Sequence, residues 1–237
     1  MNLPITLIAY ALSNKVVNQL RLYLYLKENC SGHFSVADRR IENTCMFFGW
    51  KSEKTFHKNL NWLIQNKWVA YNSKTSSCRV LSLARLCHKL NCTTRTGVLF
   101  ETKDLNHFRP FLYAAVIAWR IRCRNWQQRQ PVRKKGRARK SMSMPKNQLP
   151  NRYLAHILQL DHSTVSRYKL AAAAAGYINV KHHFENLELP EKFIYMLRKS
   201  NPEEAHWLVM HKGTIHKQLP DTITTSIHLK HHRPRPP

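Results

Sequence analysis

Acidic residues are scarce in this chain. Asp and Glu number 13 against 39 Lys and Arg, which leaves a net charge of +26 and a pI of about 10.3. Between Asp104 and Asp161 no acid occurs, while 13 Lys or Arg do. The acids are dispersed, with no paired acid motif and no His-hydrophobic-His pair. That argues against a nuclease or relaxase, which gathers carboxylates or histidines around a metal. Long apolar runs are missing as well, so nothing in the sequence spans a bilayer as a helix. The apolar start, MNLPITLIAYAL, holds an Ala-Tyr-Ala like that of a cleavage site, but it is short and lacks a basic n-region, which excludes a signal peptide. No C-x-x-C pair occurs among the six cysteines. Cys87-His88 with Cys92 is the tightest cluster, and it lacks a second ligand pair at finger spacing. Cys30, Cys45, Cys78, Cys87, Cys92 and Cys123 therefore read as reduced thiols, mostly in the core of a cytoplasmic protein. The adjacent pairs His182-His183 and His231-His232 point to opposite sides of any regular element and read as a solvated basic face. No cofactor, metal or small-molecule ligand is implied, and no enzyme activity.

What the chain does have is positive charge and enough apolar residues, 43 %, to build a core. Its 237 residues allow one large domain or two small ones. So basic a surface attracts polyanions, and release of counterions from nucleic acid is its usual use.

Residues 149–180, LPNRYLAHILQLDHSTVSRYKLAAAAAGYINV, carry the most specific pattern. Tyr153, Leu154, Ile157 and Leu158 recur at helical spacing over a first helix. Leu160 closes a tight turn, and Asp161 is placed to cap a second helix from His162 to about Ala175. Gly176 stops it, since glycine takes the left-handed C′ conformation without strain. Val165, Tyr168 and Ala172 fall on the inward face. His162, Ser163, Ser166, Arg167 and Lys169 are left outside, where each can bond bases or phosphates. Ala155, ten residues before Val165, resembles the small residue of a helix-turn-helix that lets the two helices approach. Gln159 departs from that pattern, standing where a glycine is common.

The N-terminal half offers a related order. Residues 14–29 read as a helix capped by Ser13 or Asn14, Arg39 to Phe48 as a second, and Glu53 to about Asn66 as a third capped by Ser52. Trp68 to Tyr71 and Arg79 to Leu83 read as strands around a turn. Three helices and a hairpin resemble a winged helix, whose third helix enters the major groove. Lys54, His57, Lys58 and Asn61 lie between the apolar positions of that helix, and Lys74 and Arg79 sit on the hairpin. An internal repeat links the halves: aligning Thr55 with Thr164 matches Ser52 with Asp161, Phe56 with Val165, and Trp68-Val69 with Tyr177-Ile178.

Residues 127–146 are polar and dense in Lys and Arg and will not fold alone. Arg133, Lys134, Lys135, Arg137, Arg139 and Lys140 would form a basic arm along phosphates. A helix begins near Pro110, another near Pro190, and Trp207 to Ile215 reads as a hairpin.

The expected fold is mainly α with small β-hairpins, two winged-helix/helix-turn-helix domains in tandem. The first spans 1–83. A connector follows at 84–109, then a second helix-turn-helix domain at 110–189 with the basic insertion 127–146. Residues 190–220 would hold a helix and hairpin, and 221–237 a basic, Pro-rich tail whose end, LKHHRPRPP, reads as disordered. Such chains resemble replication initiators of plasmids and DNA-binding proteins of phages and mobile elements. That resemblance implies a sequence-specific binder of double-stranded DNA, nucleoid-associated, acting in transcription control or replication. An RNA-binding or architectural protein is the alternative, with Trp119 and Trp126 as stacking platforms. A DNA-nicking enzyme is the third.

Overall fold

The computed structural model describes residues 1–30, 32–35, 40–92, 96–129, 147–187, 191–200, 208–211 and 214–231. The apolar start is a structural element. β1 (Asn2–Pro4) leads directly into α1 (Ile5–Ser13), where Leu3, Ile5, Leu7, Ile8, Ala11 and Leu12 are buried. Asn14 ends this helix instead of starting the next, its backbone N–H donating to the Tyr10 carbonyl at 3.0 Å. α2 (Val17–Asn29) is flanked by Val16, without the side-chain cap expected of Ser13 or Asn14. Lys15, at φ 59°, makes the turn between the two helices.

The chain then lays down β2 (His33–Ser35), α3 (Arg40–Phe48), α4 (Glu53–Gln65), β3 (Val69–Asn72) and β4 (Ser77–Val80). The three strands form an antiparallel sheet in the order β2-β4-β3. Ser52 Oγ accepts the Lys54 backbone N–H at 3.1 Å, which fixes the start of α4 as its sequence predicts.

Residues 83–105 carry α5 (Leu83–Lys89), β5 (Thr96–Leu99) and a 3-10 turn at Thr102–Leu105. α6 (Phe108–Arg129) follows, and Phe111 through Ala118 are all buried. A helix apolar all round its first half belongs in the centre of a molecule, and α1 and α8 pack on it. Next come α7 (Asn151–Leu158), α8 (His162–Ala174), β6 (Ile178–Asn186), α9 (Glu191–Ser200), β7 (Leu208–His211), β8 (Thr214–Thr225) and β9 (Leu229–His231). β8 lies between β6 and β7, and Gln148 bridges to Thr222 of β8.

One order of elements therefore occurs twice. α2, β2, α3, α4, β3 and β4 correspond to α6, the Gln148 bridge, α7, α8, β6 and β8, with α9 and β7 inserted between β6 and β8 in the second set. In each set the extended segment before the second helix pairs with the last strand. α4 and α8 are both 13 residues long, and each is followed by a positive-φ residue, Lys67 and Gly176, just before the next strand.

The two sets share one hydrophobic core. It runs without a break from Leu3 through the apolar faces of α2, α4 and α6 to Leu158, Val165 and Ile223. A third sheet, β1-β5-β9, joins the two ends of the chain to the segment between the modules. Leu86, Cys87, Cys92, Val98, Phe100 and Leu105 of the expected connector thus belong to the core, and 221–231 of the expected tail lie partly in β8 and β9. β5 and β9 are short strands that pair across more than a hundred residues, and so short a strand leaves little local periodicity to read.

Candidate nucleic-acid interface

α4 and α8 each bury one face and present the other. In α4, Phe56, Leu60 and Leu63 are buried, while Lys54, Lys58, Asn61 and Gln65 are exposed. His57 is half-buried, its ring edge-on to Phe56 with centroids 5.6 Å apart. Lys74 and Arg79 are exposed on the β3-β4 hairpin beside it.

In α8, Val165 and Ala172 are buried and Tyr168 half-buried, with the Arg109 guanidinium 5.5 Å from its ring centre. His162, Ser163 and Arg167 are exposed and Ser166 is half-buried. Arg167 Nη2 donates to Thr164 Oγ1 at 3.1 Å, which turns the guanidinium toward the start of the helix. The turn before α8 is tight. Gln159 adopts φ 51°, ψ 45°, the left-handed conformation of a glycine, and the Leu160 N–H donates to the Ala155 carbonyl at 3.0 Å. Asp161 occupies the N-cap position but accepts no side-chain hydrogen bond there, contrary to its expected capping role.

Lys169 is the main correction. Its expected place is on the outer face, yet it is 3 % exposed. Its ammonium donates to Asp221 Oδ2 on β8, and His182 Nδ1 on β6 meets Asp221 Oδ1 at 2.8 Å. Burial pushes the Asp221 carboxyl up, but the hydrogen bond and charge of Lys169, aided by His182, outweigh it and hold the carboxyl below its usual range. The reason for Lys169 lies in the helix period. It follows Val165 by four residues and precedes Ala172 by three, so spacing alone puts it on the buried side. Asp221 carries a sequence signal of its own: no other acid follows Glu204. His182 is therefore engaged with a carboxylate, and His183 Nε2 with Thr222 Oγ1 at 2.9 Å.

Arg133, Lys134, Lys135, Arg137, Arg139 and Lys140 lie outside the described residues. The ends flanking them are tied together: Arg124 Nη1 donates to the Gln148 carbonyl at 2.6 Å, and Asn125 Nδ2 to Asn147 Oδ1 at 3.0 Å.

The chain matches no protein-family model, no curated protein and no solved structure. Among the described residues, no three His, Cys, Asp or Glu side chains are grouped as a metal would need, and no helix is long and apolar enough to cross a membrane. Cys87 and Cys92 are buried. Burial and then the neighbouring Cys92 push the Cys87 thiol up to about 11, the protonated state of a core residue. Trp119 is covered by the Arg120 guanidinium, 4.3 Å from its ring centre, whereas Trp126 is 62 % exposed.

Proposed function

We propose that each repeated set is a winged helix and that the protein binds double-stranded DNA in a sequence-specific manner, without catalysing a reaction on it. α4 and α8 are the recognition helices in this reading. Lys54, His57, Lys58 and Asn61 face the major groove from one, and His162, Ser163, Ser166 and Arg167 from the other. Lys169 drops out of the contact set because it is committed to Asp221. The β3-β4 hairpin and the antiparallel β6-β8 pair act as wings on the backbone, and the basic segment around Arg133 to Lys140 adds phosphate contacts.

The observation that carries this reading is the repetition. Two helices of equal length recur in the same topological place, each followed by an antiparallel pair and each turning polar or basic side chains outward. A net charge of +26 supplies the attraction to phosphate. A cytoplasmic, nucleoid-associated location and a role in transcription control or replication initiation go with it.

Arg167→Ala and removal of Arg133 to Lys140 separate the two kinds of contact. Arg167→Ala relaxes base preference at one position, costing about 1–3 kcal/mol of discrimination. Removing the segment weakens binding to all sequences alike and flattens the salt dependence. An Arg167→Ala protein with unchanged preference contradicts the assignment of α8. The exposed Trp126 favours a second reading, single-stranded or RNA binding by stacking. Competition between duplex DNA and RNA of equal length decides between them.

A further inference from the structure

The outer face of α8 changes chemistry halfway along. Ser163, Arg167, Leu170 and Ala174 follow one another at spacings of four, three and four residues, so they form a single line along the helix. All four are exposed, and Leu170 is 60 % exposed. The first half of the line is polar and cationic. The second half is apolar, with exposed Ala171 beside it. A leucine here is not needed by the core, which takes Val165 and Ala172 from the opposite side.

We propose that α8 reads thymine through its 5-methyl group, and that Leu170 makes the contact. This rests on the major-groove reading of α8 given above. The surroundings select the occupant. No acid occurs between Asp161 and Glu185, so the face that carries Leu170 is complementary to a polyanion and offers an acid-free approach. Along the edges of the four bases in the major groove, the one apolar group displayed is the thymine methyl. Small side chains at Ala171 and Ala174 keep the helix surface low around Leu170, which lets the backbone sit close to the base edges.

The first module lacks this apolar contact. At the position equivalent to Leu170, α4 exposes Asn61, and Gln65 one turn further on. Asn and Gln bond the adenine edge through N6 and N7. The two helices therefore read different chemistry, and the site they recognise consists of two unlike half-sites instead of a repeated one.

The test uses the full chain and the duplex it selects from a random library. Each thymine is replaced singly by deoxyuridine, which removes the methyl and leaves every hydrogen-bonding group in place. One replacement in the α8 half-site weakens binding of the wild-type protein by about fourfold, the worth of one buried methyl. Leu170→Ser and the helix-favouring Leu170→Ala lose a similar factor on the thymine duplex and no longer distinguish it from the uridine form. If a motif is selected but every uridine duplex binds as tightly as its parent, the thymine contact is overturned and the DNA-binding reading stands. The same holds if Leu170→Ala stays as sensitive to uridine as the wild type. If Leu170→Ala leaves binding intact and dissociates an oligomer, the leucine faces a second copy and the inference fails. If no motif is selected, the reading on which it rests fails too.

Discussion

Lys169 and Asp221 form a buried ion pair that joins α8 to β8, and His182 shares the carboxylate from β6. Both charges have left water, so each depends on the other for compensation. Lys169→Met removes the buried cation and leaves the carboxylate only its contact with His182, at a cost of about 3–5 kcal/mol near neutral pH. The double change Lys169→Met with Asp221→Leu returns most of that loss, because no charge is left unpaired. The pH dependence has a definite sign. The folded Asp221 carboxyl is held below its ordinary value. Its contribution is therefore present above the unfolded carboxyl pKa of about 3.9 and is lost as pH falls through the lower folded value. Urea titrations at several pH values check this: the gap between wild type and Lys169→Met narrows as pH drops below about 4. A gap that widens there contradicts the pairing. Helical spacing sets the lysine beside Val165 and Ala172, but a charge within a polar run reads as solvent-facing, and that outweighs the spacing when only the sequence is in hand. Asp221 stands at the start of the segment expected as a basic, Pro-rich tail, outside the elements expected to pack.

Among elements, the turn between α7 and α8 holds a non-glycine residue, Gln159, in the left-handed region. A non-glycine residue in the left-handed region costs roughly 1–2 kcal/mol, and glycine there gives back about 0.5–1 kcal/mol of this through its greater freedom when unfolded. Gln159→Gly is thus expected to stabilise the protein by about 0.5–1 kcal/mol net. Thermal or denaturant unfolding measures it, and a destabilised variant means that the Gln159 side chain makes a contact worth more than the strain. Most helices were readable because their apolar positions recur at helical spacing. Ser52 announced α4, and Gly176 announced the break after α8, at positive φ. β1 and α1 were not readable. A continuous apolar run such as MNLPITLIAYAL has no polar face to reveal a period, since α1 is buried between other helices. β9 gave even less, being three residues paired with β5 more than a hundred positions earlier.

At the scale of the whole molecule, the two modules are not beads on a string. α1 packs against both α2 and α6, and one core continues through both. If α4 and α8 both read DNA, their separation along the duplex is fixed by that core. Inserting about 5 bp between the half-sites turns one away by half a helical turn, and about 10 bp moves it a full turn further along the duplex. Both insertions are expected to reduce affinity to that of one half-site, a loss on the order of 10²-fold. A full-turn insertion that binds as well as the parent shows that the modules move independently.

The measurement closest to the central claim is selection from a random duplex library by the full-length protein at two salt concentrations, with sequencing of the bound fraction. The account predicts an enriched motif of two unlike half-sites at one fixed spacing, retained at the higher salt because base contacts release no counterions. Binding without a motif, collapsing as salt rises, contradicts it and leaves a protein that acts on nucleic acid through charge alone.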